Sequence, residues 1–103
     1  MKQIQMLTEQ IAEEIGDAKK YAAMAVNLKE SDPDLAKMYF SLSQQELEHM
    51  QILHRAVTEM IQRFRDVSGE PPAEMLAVYN YLHDRQIRNA TEVKNLQSLY
   101  REN

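Results

Sequence analysis

The sequence predicts an all-α protein built as an up-down-up bundle of three long helices. Only two glycines and three prolines occur among the 103 residues, and the abundant alanine, leucine, glutamate, glutamine, lysine and methionine favour helix. Apart from Gly16, the helix breakers cluster around residues 31–34 and 68–72. These observations predict helices near residues 2–30, 33–66 and 73–101, each roughly 40–50 Å long, within a single domain of residues 1–103.

The two breaks contain the residue types that begin and end helices. Residues 31–34 (SDPD) offer an N-cap followed by proline at the first helical position. Residues 68–72 (SGEPP) offer a stop with glycine past the helix end, and then a restart. The second connection reaches roughly 20 Å when it is extended, which is too short for a crossover along a helix. The helices are therefore expected to run up, down and up.

Composition and charge exclude several classes of function. Lysine and arginine total 12 against 16 aspartates and glutamates, a formal charge of −4, whereas nucleic-acid-binding proteins carry a basic surplus. The absence of cysteine excludes disulfides, thiolate metal sites and a catalytic thiol. We see no signal-peptide pattern and no apolar run of 18 residues, so we expect a cytoplasmic protein without a membrane partner.

The apolar stripes of the first two helices are interrupted by three polar residues: Glu14, Glu46 and His49. A buried carboxylate costs several kcal/mol unless it is paired or binds a cation. In an antiparallel hairpin folded near residue 31, the three residues lie at the same height. The stripes consist of Ile4, Leu7, Ile11, Glu14, Ala18, Tyr21, Ala25 and Leu28 on the first helix, and of Leu35, Tyr39, Leu42, Glu46, His49, Leu53, Ala56 and Met60 on the second.

Glu46 and His49 form a Glu-x-x-His motif, which places a carboxylate and an imidazole about 5–6 Å apart on one helix face. Helical bundles hold iron or manganese with this pair of ligands. A second fold near residue 69 brings Glu92 of the third helix to the height of Glu46, although the charge pattern leaves its face ambiguous. The sequence thus predicts a metal site formed by Glu14, Glu46, His49 and Glu92.

Other interpretations of these polar residues remain open. Glu46 and His49 would also suit a buried ion-pair or hydrogen-bond network, because polar layers fix helix register in bundles. Carboxylate and imidazole ligands suit iron, manganese and zinc alike. His54 and His83 fall at one height as well, which leaves a second metal site possible, but lone histidines of this kind are more often partly exposed surface residues.

These residues resemble the ferritin-like superfamily, particularly its rubrerythrin, bacterioferritin and encapsulated-ferritin types. Those families carry a first-helix Glu with a Tyr seven residues later, then Glu-x-x-His about thirty residues on. Here Tyr21 follows Glu14 by seven residues, and the run from Glu46 to His49 (ELEH) begins thirty-two residues after Glu14. Over roughly residues 8–60, the resemblance implies that Glu14 and Glu46 are carboxylate ligands and His49 an imidazole ligand of an iron site. It also implies that Tyr21 is a nearby aromatic and makes Glu92 a candidate further glutamate.

The chain departs from a full-length ferritin-like protein, which has four helices, two Glu-x-x-His motifs and a long crossover. We therefore expect a ferritin-like helical hairpin plus a third helix, with a four-helix-type core completed in a homo-oligomer. A two-fold axis would then supply two copies of each ligand to a di-iron site. Two functions remain open: a di-iron-binding protein with ferroxidase activity, and a non-enzymatic structural or interaction protein with a vestigial site. Iron storage would further require a large assembly or a separate shell protein.

Overall fold

The computed structural model describes residues 2–102 and consists of three long α-helices. Helix α1 spans Lys2–Leu28, α2 spans Pro33–Ser68 and α3 spans Ala73–Arg101. No strand occurs within residues 2–102, so the predicted all-α class is confirmed. The molecule measures 55 × 18 × 17 Å, and its long dimension matches the roughly 54 Å expected for a helix of the length of α2.

The connections fall where the sequence predicts them. The Asp32 side chain accepts a hydrogen bond from the backbone N–H of Leu35 at 3.2 Å, with Pro33 in the first turn of α2. Gly69 ends α2 with a φ of 82°, a conformation that favours glycine, and its N–H donates to the carbonyl of Arg65 at 3.0 Å. Relative to the prediction, α1 ends two residues earlier and α2 two residues later.

Helix α1 is the central element, because its backbone lies close to both other helices, whereas α2 and α3 meet mainly through side chains. In the half of the bundle next to the first turn, α1 and α2 meet through small residues. Ala18, Ala22, Ala25 and Ala36 are all fully buried there. The remaining core is built from larger side chains: Ile4, Ile11, Ile15, Leu47, Val57, Ile61 and Val93.

A buried polar contact joins all three helices. The Ser43 hydroxyl of α2 donates to the carbonyl of Ala18 on α1 at 2.7 Å, and it accepts a hydrogen bond from Gln97 Nε2 of α3 at 2.9 Å. Ser43 and Gln97 are both buried, and their hydrogen bond gives each buried polar group a partner. This contact fixes the relative heights of the helices in the middle of the bundle.

The observed burial differs from the predicted stripes by a rotation of the helices. Alternate members of the α1 stripe are buried, but Leu7, Glu14, Tyr21 and Leu28 are only half-buried. On α2 the whole predicted stripe is half-buried, except for His49, which is exposed. The buried α2 residues are instead Ala36, Ser43, Leu47, Val57 and Ile61. The physical reason is that α1 and α2 are rotated about their axes so that their most buried residues face α3. The predicted stripes therefore lie at the border of the core.

The helices within residues 2–102 also lack the apolar length that crossing a membrane requires.

Candidate metal centre

Three of the four predicted site residues meet on the face of the α1–α2 hairpin that α3 leaves open. Glu14 of α1 lies opposite Glu46 and His49, which are one turn apart on α2. The His49 Nδ1 atom lies 3.5 Å from Glu14 Oε2 and 3.9 Å from Glu46 Oε2. One ligand atom from each residue falls within 4.8 Å of the others, and among the described residues no other three acidic, cysteine or histidine side chains converge in this way.

The antiparallel pairing of α1 and α2 positions these side chains. Ala18, one turn after Glu14, is fully buried against α2. Ser43, one turn before Glu46, hydrogen-bonds to the carbonyl of that same alanine. The two helices are therefore held at a fixed height one turn away from the carboxylates. This contact keeps Glu14 level with Glu46.

The two carboxyl groups interact strongly with each other. The side chains of Glu14 and Glu46 are 20% and 19% exposed, whereas that of His49 is 55% exposed. A hydrogen bond with Glu14, followed by burial and the negative charge of Glu14, raises the pKa of Glu46 from 4.5 to about 7. Two carboxylates in such proximity resist ionising together. Near neutral pH, the pair is therefore stabilised by a shared proton or by a cation.

The residues fit a divalent cation. Unless the Glu46 carboxyl group is protonated and donates to Glu14, the buried Glu14 Oε2 atom has no hydrogen-bond partner among the described residues, a condition that costs free energy unless something else neutralises the oxygen. Two donors about 2.0–2.2 Å from one ion lie about 3–4 Å apart, which is close to the observed separations from His49 Nδ1. Two carboxylate oxygens and an imidazole nitrogen are typical ligands of iron and manganese.

Glu92 lies outside this group. Its Oε2 atom forms a salt bridge with Lys19 Nζ at 2.8 Å, and both side chains are more than half exposed. Lys19 follows Glu14 by five residues, which is about 140° around the axis of α1. Helix α3 therefore presents Glu92 to a different side of the hairpin from the one that carries Glu14. Height along the bundle does not determine the helix face, and α3 buries Ala90, Val93 and Gln97 instead.

Two tyrosines extend the same face toward the first turn. Tyr21, two turns after Glu14, stacks on Tyr39 of α2 with ring centroids 5.9 Å apart. Both rings are half-buried. Sequence reasoning placed the two rings in the core without pairing them. Tyr21 and Tyr39 lie at nearly equal distances along the chain from the first turn, as Glu14 and Glu46 do. This equal height along the bundle would have predicted the pair.

One of the three comparisons with known proteins finds a match. A family model described as rubrerythrin matches residues 5–102, which include all three helices apart from the first residues of α1. The comparisons with curated proteins and with solved structures find no match. Since the family model covers nearly the whole chain, including Glu14, Glu46 and His49, the chain belongs to the rubrerythrin family.

Proposed function

We propose that this chain binds ferrous iron through Glu14, Glu46 and His49, and that two copies form a carboxylate-bridged di-iron centre with ferroxidase activity. The observation that carries the proposal is the convergence of two carboxylates and an imidazole, in which the buried Glu14 Oε2 atom has no hydrogen-bond partner among the described residues while Glu46 is ionised. Membership of the rubrerythrin family suggests carboxylate-bridged iron binding and supports the same conclusion.

The three side chains have different roles in this proposal. Glu14 and Glu46 provide the negative charge that balances a divalent cation, and His49 provides a nitrogen ligand. Because the pKa of Glu46 is raised to about 7, a cation must displace the proton that the carboxyl pair holds, and iron affinity should increase with pH up to neutrality. When bound, ferrous iron would supply the electrons for reduction of dioxygen or peroxide.

A second copy of the chain is the proposed partner that completes the centre. His49 is largely exposed on this face, and among the described residues one chain brings three ligand side chains together. Half-buried apolar residues continue the face at helical spacing from the ligands: Leu7, Tyr21 and Leu28 on α1, and Tyr39, Leu42, Leu53 and Met60 on α2. A two-fold axis through this face would bring four carboxylates and two imidazoles together. The carboxylates of the two copies would repel one another without a cation, so association of the two copies should depend on metal.

The test is an anaerobic titration of chelator-treated protein with Fe(II), followed by sedimentation analysis and then exposure to air. We expect one iron per chain, conversion of monomer to dimer, and oxidation of Fe(II) faster than in buffer. Glu14→Gln, Glu46→Gln and His49→Gln should each lose iron binding. Glu48→Gln is the matched control, because Glu48 is exposed on the same turn of α2 and outside the group.

Two results would contradict parts of the proposal separately. Iron binding that is equal in the wild type and in Glu46→Gln would reject the ligand assignment and favour a structural role for the polar group. Iron binding by the wild type without dimer formation would retain the ligands but reject a centre shared between two copies.

A further inference from the structure

A pair of histidine side chains meets where α2 faces α3. His54 Nε2 and His83 Nδ1 are 2.9 Å apart, and the two rings stack with centroids separated by 4.6 Å. Both residues are half-buried. His54 follows His49 by five residues, about 140° around α2, so it faces away from Glu14. The pair is therefore separate from the candidate iron site.

The surroundings of the pair leave room for a bound ion. The two imidazoles line a cavity of about 360 Å³ together with Met50, Gln51 and Lys94. The ring of Tyr79, one turn before His83, stacks on the His83 ring at 5.7 Å and limits its rotation. Among the described residues, no third acidic, cysteine or histidine side chain converges on the pair. Water in the cavity would therefore fill the other coordination positions.

We propose that His54 and His83 bind a late first-row divalent ion, of which Cu²⁺ is held most tightly, and that this ion clamps α3 to α2. Nitrogen ligands lie about 2.0–2.1 Å from such ions, so two of them at a right angle are about 2.9 Å apart, which is the observed separation. An all-nitrogen pair selects copper, nickel and zinc in the order of their intrinsic affinities. The oxygen-rich group at Glu14 suits iron or manganese, so the chain carries two sites of different metal preference.

The protonation of the pair is compatible with metal binding. In the neutral pair, one of the two facing nitrogens carries the hydrogen that forms the hydrogen bond. Both facing nitrogens must offer lone pairs to an ion, so the donor ring moves its proton to its outer nitrogen and no net proton is released. Burial, with a smaller contribution from His83, lowers the pKa of His54, which favours the neutral form that metal binding needs.

The test uses all three histidines of the chain, in untagged protein treated with chelator. Cu²⁺ is titrated into the wild type and into His49→Gln, His54→Gln and His83→Gln, and each is studied by calorimetry and electron paramagnetic resonance. In the wild type and in the His49→Gln control, we expect a site with two imidazole nitrogens bound to one copper per chain. His54→Gln and His83→Gln should each weaken that site at least tenfold and remove one nitrogen from the spectrum.

A measurement on the unmodified protein covers the case in which a variant fails to fold. Nitrogen-15 spectra of the wild-type imidazoles should show that Zn²⁺ perturbs both His54 and His83 and changes the tautomer of one of them. Copper affinity that is unchanged in His83→Gln, or Zn²⁺ perturbation of neither ring or of one alone, would overturn the proposal. The outcome does not depend on whether Glu14 and Glu46 bind iron.

Discussion

Replacement of Glu46 by glutamine should stabilise the metal-free protein at neutral pH and reduce the pH dependence of its stability. The pKa of Glu46 is raised from 4.5 to about 7 by its hydrogen bond with Glu14 and by burial. A carboxyl group whose pKa is higher in the folded state stabilises the fold fully below its unfolded pKa, and this contribution is lost as the pH rises through the folded pKa. At about 1.4 kcal/mol per pKa unit, the loss between pH 4.5 and 7 is about 3 kcal/mol.

The assay is urea unfolding of wild type, Glu46→Gln and Glu48→Gln between pH 4 and 8, with chelator and at protein concentrations that keep the chain monomeric. Glutamine imitates the protonated carboxyl group, so the two free energies of unfolding should agree near pH 4. At pH 8, Glu46→Gln should be more stable than the wild type by up to about 3 kcal/mol. Glu48→Gln should follow the wild type within about 0.5 kcal/mol throughout.

A difference between wild type and Glu46→Gln that does not change with pH would refute the argument, since it would mean that Glu14 and Glu46 do not share a proton. Added Fe(II) should reverse the order of stability. At a concentration about 1,000 times its dissociation constant, a ligand stabilises the folded state by about 4.1 kcal/mol, which exceeds the advantage of about 3 kcal/mol, and Glu46→Gln should lack this gain.

Three further substitutions test the packing that positions the site, each by the free energy of unfolding. Ile11→Ala should lower the free energy of unfolding by about 2–5 kcal/mol, because Ile11 is 1% exposed. Ile52→Ala should lower it by less than about 0.5 kcal/mol, because Ile52 is 61% exposed. Equal losses would contradict the described core. Ser43→Ala should lower the free energy of unfolding by about 1–3 kcal/mol, because it leaves the Gln97 amide without its partner. Adding Gln97→Leu to this variant should recover part of the loss. Losses that simply add in the double variant would argue against the contact. Asp32→Ala should cost about 1 kcal/mol through loss of the α2 cap, and no change would mean that the cap is unimportant.

The three helices and the convergence of Glu14, Glu46 and His49 could be predicted, because the signals for them lie in the local sequence or in the distance of each residue from the turn. The breaks at residues 31–34 and 68–72 contain capping and stop residues, so the turns followed from backbone chemistry. Glu14, Glu46 and His49 interrupt apolar stripes, and a short turn between two straight helices fixes which residues share a height. Both signals depend only on the helical period and on the position of the turn.

The placement of Glu92 could not be predicted in the same way. Helix α3 has apolar residues distributed around its axis, and four of them are at least half exposed: Val78, Tyr81, Ile87 and Leu99. Such a helix gives no clear face, so its rotation depends on contacts with other helices. The salt bridge with Lys19 and the amide of Gln97 are contacts of this kind, and they become visible only when the helices are assembled.

The position of Glu14 and Glu46 at the border of the core has a consequence for folding without metal. A buried charge without a partner costs several kcal/mol, which is a large part of the 5–15 kcal/mol by which a domain is stable. Each side chain keeps about a fifth of its surface exposed, and a shared proton lowers the cost further at mildly acidic pH. None of the proposed ligands belongs to the buried apolar cluster, which consists of Ile4, Ile11, Ile15, Ala18, Leu47, Val57, Ile61 and Val93. The chelator-treated chain should therefore keep the helical circular dichroism of the iron-loaded chain, and metal should raise its melting temperature without creating its fold. Loss of helix on removal of metal would contradict this separation of core and site.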